Sequence, residues 1–160
     1  EACAVALLQL GVEASVPWRG EAPLAAASRR GHLRVVKALL AAAADVHFVD
    51  GTGYTPLMYA SHAGHAEVVL HLVRAGASAT ARDPGGYTPL MLAAQGDCEG
   101  CVRHLVLAKA EVEARCQGGY TALLLAAVAG ALGPCRALVR AGANVAVVDD
   151  WGATALGLAR

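Results

Sequence analysis

An all-α solenoid is the fold the sequence predicts, and three observations predict it. Gly20, Gly53, Gly86, Gly119 and Gly152 fall 33 residues apart every time. Their neighbours repeat in step: Gly53 and Gly86 each open Gly-Tyr-Thr-Pro-Leu, Gly119 opens Gly-Tyr-Thr-Ala-Leu, and Gly152 opens Gly-Ala-Thr-Ala-Leu. Gly20 opens the more diverged Gly-Glu-Ala-Pro-Leu. Between these glycines the apolar residues are spaced for helices, as in Val68, Val69, Leu72 and Val73. A fixed period of this length marks a stack of supersecondary units, none of which buries its apolar face alone.

Each unit reads in order as turn, helix, break, helix and stop. Asp50-Gly51-Thr52-Gly53 and Asp83-Pro84-Gly85-Gly86 are turn chemistry, because Asp bonds its own backbone and Gly supplies positive φ. The Thr-Pro pair that follows starts a helix, with Thr55 or Thr88 as N-cap and Pro56 or Pro89 in the first helical position. The first helices are predicted from Pro56 to about His62 and from Pro89 to about Gln95. Gly31, Gly64 and Gly130 break them. A second helix is predicted from about Ala66 to Arg74, with one apolar face, and Gly76 stops it.

Composition narrows the function classes. The chain has 160 residues, 56% hydrophobic and 16% charged, enough to bury a core. Zero formal net charge and the lack of any long Lys/Arg run argue against nucleic acid as the main partner. The longest apolar stretch, Ala122 to Gly133, is shorter than the roughly 18 residues of a membrane span, so no membrane insertion is expected. Five cysteines without framework spacing point to a reducing setting, and the expected location is intracellular, cytoplasmic or nuclear.

These residues and this period resemble the ankyrin repeat, whose signature is Thr-Pro-Leu-His-x-Ala. Gly64-His65-x-x-Val68-Val69 and Arg74-Ala75-Gly76-Ala77 match it as well. The resemblance implies an ankyrin-repeat solenoid, a β-turn plus two antiparallel helices per repeat, in a single domain over residues 1–160. Complete repeats are expected over 17–49, 50–82, 83–115 and 116–148, with partial repeats at 1–16 and 149–160. The chain is read as a segment of a longer array or a multidomain protein. The signature's His is missing from every copy, its place taken by Ala25, Met58, Met91, Leu124 and Gly157. A thinner network of hydrogen bonds between repeats is therefore expected. The third repeat is the least regular, with Gly96-Asp97-Cys98 for Ala63-Gly64-His65 and Lys109 for Gly76. It is the expected site of any internal local opening.

The candidates for chemistry dissolve into this register. Cys98-x-x-Cys101 has no second pair at zinc-ligand spacing. Cys101 takes the place of Val68, Cys135 that of Val69, and Cys3 also falls on the Val68 position, so these are expected to be small apolar core residues. A redox or metal role for Cys98 and Cys101 is the weaker reading. Cys116 stands where other repeats have Asp and is expected to be exposed and the first to react with thiol reagents. His32 and His65 fill the Gly-His position at the start of second helices, His71 and His104 are expected to be solvated, and His47 lies in a loop. No His stands in register with a Ser, Cys or Asp to form a nucleophile set, and the turn glycines complete neither a Rossmann nor a P-loop pattern. No catalytic residue, metal or cofactor is expected, and the chain is read as not an enzyme.

In the ankyrin family partners meet the turn tips and the inner face of the first helices. The resemblance carries those positions onto Trp18, Arg19, Glu21, Arg29 and Arg30 in the first complete repeat. The second supplies Gly51, Thr52, Tyr54, His62 and Ala63, and the third Pro84, Gly85, Tyr87, Gln95 and Gly96. The fourth gives Gln117, Gly118, Tyr120, Val128 and Ala129, and the last fragment Asp150, Trp151 and Ala153. Aromatics are only 4% of the chain, yet only Phe48 and Tyr59 fall outside this set. Tyr and Trp are the usual anchors of interfaces. Tyr54, Tyr87 and Tyr120 read equally as recognition residues and as packing along adjacent turns; with Trp18 and Trp151 included, recognition is favoured. The implied function is binding of a protein or peptide partner, with Arg19, Arg29 and Arg30 favouring acidic groups. The alternative is a regulatory or targeting segment of a larger enzyme, channel or ligase adaptor.

Overall fold

A computed structural model describes residues 22–159. The first partial repeat, with Cys3, and the residues Trp18, Arg19, Gly20 and Glu21 lie outside the described residues. Among those described are nine α-helices: α1 Pro23–Arg29, α2 Leu33–Ala41, α3 Pro56–His62, α4 Ala66–Arg74, α5 Pro89–Gln95, α6 Glu99–Leu107, α7 Ala122–Ala129, α8 Leu132–Arg140 and α9 Ala155–Leu158. No strand is present among them, only an isolated antiparallel bridge between Val148 and Thr154.

The threonine caps form as the spacing predicts. Thr55, Thr88, Thr121 and Thr154 accept the amides of Met58, Met91, Leu124 and Gly157 at 3.2–3.4 Å. Helix ends are made by residues in the left-handed region: Gly31, Gly64 and Gly130 after first helices, Gly76 and Gly142 after second helices. The third repeat alone has non-glycine residues at both of these positions, Asp97 (φ 51°) and Lys109 (φ 60°). Backbone strain therefore concentrates in the repeat whose sequence is least regular.

First helices α1, α3, α5, α7 and α9 pack in one row, second helices α2, α4, α6 and α8 in another. The core lies between the rows and continues through the described repeats. Leu24, Leu57, Leu90 and Leu123 hold one repeat position and are all buried. Met58, Met91 and Leu124, where the family signature has His, are fully buried. Burying a side chain of this size stabilises by about 1.5–3 kcal/mol, more than the roughly 0.5–1.5 kcal/mol of one net hydrogen bond. Losing the His thus leaves no deficit in the core.

Hydrogen bonds between repeats run through the turns and loops instead. Arg82 Nη1 donates to the Arg115 carbonyl (3.0 Å), and Arg115 Nη2 to the Val148 carbonyl (2.8 Å). The Gln117 amide donates to Gly85 O and the Asp150 amide to Gly118 O. A ring nitrogen of His65 pairs with Arg29 O at 3.1 Å.

Three expectations about side chains need correction. Cys116 is buried, not exposed. The turn position it shares with Asp50, Asp83 and Asp149 points inward, because there Asp accepts its own backbone amides, and Asp149 is buried too. Burial pushes the Cys116 thiol above its ordinary value. Cys135 is only half-buried, since no second helix among the described residues follows α8 to cover it. His71 and His104 are half-buried, and His71 Nδ1 lies 2.8 Å from Glu67 O.

Candidate functional site

The row of first helices ends on one side in a line of turn tips, and together these carry the described residues of the candidate surface. Positions at the C-terminal ends of first helices face solvent. Arg29 and Arg30 close α1, His62 closes α3, Gln95 closes α5, and Val128 and Ala129 close α7; all are exposed. The residues just inside, such as Ser28, Ser61, Ala94 and Ala127, are buried. The helix therefore divides sharply between a packed flank and an exposed one.

Turn geometry fixes the tips. Asp50 Oδ1 accepts the amides of Thr52 (2.8 Å) and Tyr54 (3.0 Å), and Asp83 and Asp149 repeat this with the second and fourth residues after them. Burial works to raise the Asp50 carboxyl, but hydrogen bonds from Thr52, Tyr59 and Tyr54 outweigh it and hold the group below its ordinary value. Thr52, Gly51, Pro84, Gln117 and Asp150 are exposed, and Gly85, Gly118 and Ala153 half-buried.

All three tyrosines of the row are half-buried. The Tyr54 ring lies 5.1 Å from that of Tyr59, tilted by 48°. The Tyr87 hydroxyl lies beside Cys116 in the next turn. Tyr120 lies 6.0 Å from Trp151, whose ring also closes on Gly118. Burial raises the Tyr54 and Tyr87 hydroxyls above their usual range. Tyr87 and Tyr120 thus lean on the following turn, and each tyrosine leaves part of its ring at the surface. Trp151 is 73% exposed, the large aromatic that stands furthest into solvent at a tip among the described residues.

One residue of this surface was missed. Tyr59 is placed outside the set by its repeat position, yet its ring lies beside Tyr54, its hydroxyl donates to Asp50 Oδ2 and the Arg29 guanidinium sits 5.7 Å over it. The signal was available: three and four residues before His62 and Ala63 on a helix is the same face.

Among the described residues no group of three or more His, Cys, Asp or Glu is arranged to hold a metal ion. No helix among them is long and apolar enough to cross a membrane. A family model described as ankyrin repeats matches the chain three times, over residues 2–83, 24–116 and 64–149. No curated protein matches it.

Proposed function

Because the chain belongs to the ankyrin-repeat family, whose members are generally protein–protein interaction modules, we propose that it binds a protein or peptide along its first-helix ends and turn tips, without catalysis. One observation carries this reading. At a single repeat position the chain places Arg29, His62, Gln95 and Val128, all exposed, in four successive repeats. The fold asks nothing of these four side chains in common, and their chemistry changes at each step, which suits a surface read by a partner. Arg29 and Arg30 make the N-terminal end basic and fit an acidic group there. Val128 and Trp151 make the other end apolar. The partner fitted by this order is an extended segment, acidic at one end and apolar at the other, and the whole chain acts as one domain in holding it.

Photocrosslinking tests the face. A benzophenone amino acid would replace His62, Gln95 or Gln117 in turn, and Glu67 or Arg103 on the exposed flank of second helices as controls. The expected result is one crosslinked partner from the first three sites and none from the controls. Equal crosslinking from both sets would overturn the assignment.

A further inference from the structure

The repeat register accounts for Cys101, which sits where Val35 and Val68 sit and is fully buried. It does not account for Cys98, whose counterparts are His32, His65 and Ala131. Cys98 is the N-cap of α6, and its sulfur accepts the Cys101 amide at 3.1 Å. The Cys101 side chain lies beside the same sulfur. The Cys98 thiol itself reaches back to the Gly64 carbonyl, 3.4 Å away in the preceding repeat. Cys98 is half-buried and Cys101 has no exposure, so a reagent in solution meets only one of the two sulfurs.

We infer that Cys98 and Cys101 form a redox-modifiable dithiol that a low-molecular-weight disulfide closes into an intramolecular disulfide, with Cys98 as the attacking sulfur and Cys101 as the resolving one. The Cys101 amide donates to the Cys98 sulfur at the N-terminus of α6, which holds the accessible sulfur over the residue that resolves it. The Cys98 thiolate attacks one sulfur of the small disulfide, that S–S bond breaks, and the departing thiolate takes up the proton Cys98 has lost. Cys101 then attacks Cys98 Sγ, loses its own proton, and expels the second small thiol. Two protein thiols are oxidised by two electrons and one disulfide is reduced to two thiols. Closure removes the Cys98 S–H, and with it the bond to Gly64 that joins the second and third repeats. In a reducing compartment such a bond is transient and reports oxidation, as reversible disulfides there do.

The register supplies variants that keep the packing: Cys101→Val restores the residue of the first two repeats, and Cys98→Ala that of the fourth. The 160-residue chain would be equilibrated with glutathione buffers of rising oxidised fraction, quenched in acid, alkylated and mapped by peptide mass. Cys116 and Cys135, on a turn and on α8, serve as internal references. The expected result is a Cys98–Cys101 disulfide at a ratio of oxidised to reduced glutathione at least tenfold lower than that which modifies either reference. With Cys101→Val, glutathione stays on Cys98; with Cys98→Ala, Cys101 remains a thiol. Earlier modification of either reference, glutathione left on Cys98 of the unsubstituted chain without closure, or two free thiols at 98 and 101 throughout, would each overturn the proposal.

Discussion

Arg115 donates its guanidinium to the carbonyl of Val148, one full repeat further along, at 2.8 Å. Arg82 does the same to Arg115. Arg82 also meets Glu111 at 3.1 Å, but both side chains are about half exposed, so that ion pair contributes about 0–1 kcal/mol. The bond to the carbonyl is the specific link. Arg115→Ala is expected to lower stability by about 1 kcal/mol and to speed amide exchange in residues 143–150. Urea unfolding and hydrogen exchange would check this; an unchanged midpoint would show the arginine to be ornamental.

Left-handed backbone at Lys109 gives a second expectation. Gly76 and Gly142 hold this conformation in other repeats without a Cβ to obstruct it. Lys109→Gly should raise stability by about 0.5–1 kcal/mol, the relief of φ outweighing the extra entropy of glycine in the unfolded chain. A lower urea midpoint for the variant would refute the idea that strain in the third repeat is stored there.

Ser61 Oγ and Ser28 Oγ are buried and have no hydrogen-bond partner among the described residues. Ala94 and Ala127 occupy the same position in the next two repeats and are buried as well. Ser61→Ala is therefore expected to be neutral or to stabilise by up to about 1 kcal/mol, since an unpaired hydroxyl leaves the core. Destabilisation on thermal unfolding would mean the hydroxyl is satisfied by a bound water.

The sign of the Asp50 shift sets a pH dependence. A carboxyl held below its unfolded value of about 3.9 contributes stability that is complete above that value and is lost as pH falls through the lower, folded one. Titration followed by carbon NMR should give Asp50 a midpoint below 3.9, and Asp50→Asn should flatten the acid limb of the stability curve. A midpoint at or above the unfolded value would contradict the hydrogen-bonded turn.

Much of this molecule is legible in its sequence because the local signals are covalent in origin. Within a helix Pro56 and Pro89 fit only the first turn, and Thr55 and Thr88 before them carry the capping oxygen, so the starts of α3 and α5 follow directly. The neighbours of each ring are another matter. Tyr87 meets Cys116 and Tyr120 meets Trp151 only once successive turns are stacked, and the stacking distance is a tertiary quantity. Cys116 shows the same limit. Knowing that its position carries Asp elsewhere suggests water, whereas the turn folds that side chain inward onto its own amides.

Pro84 stands at the turn position that Gln117 and Asp150 hold in later repeats. Gln117 and Asp150, one and two repeats later, use their amides to bond the preceding turn, but proline has no amide proton to give to Thr52. Its ring presses on Gly53 instead. The tips thus fall into two articulated lengths: one ends at Tyr54 and its neighbour Tyr59, the other runs from Tyr87 to Trp151 as a hydrogen-bonded strip. A ligand spanning both meets, between Tyr54 and Tyr87, a junction where the turn tips touch through proline on glycine and not through a backbone hydrogen bond.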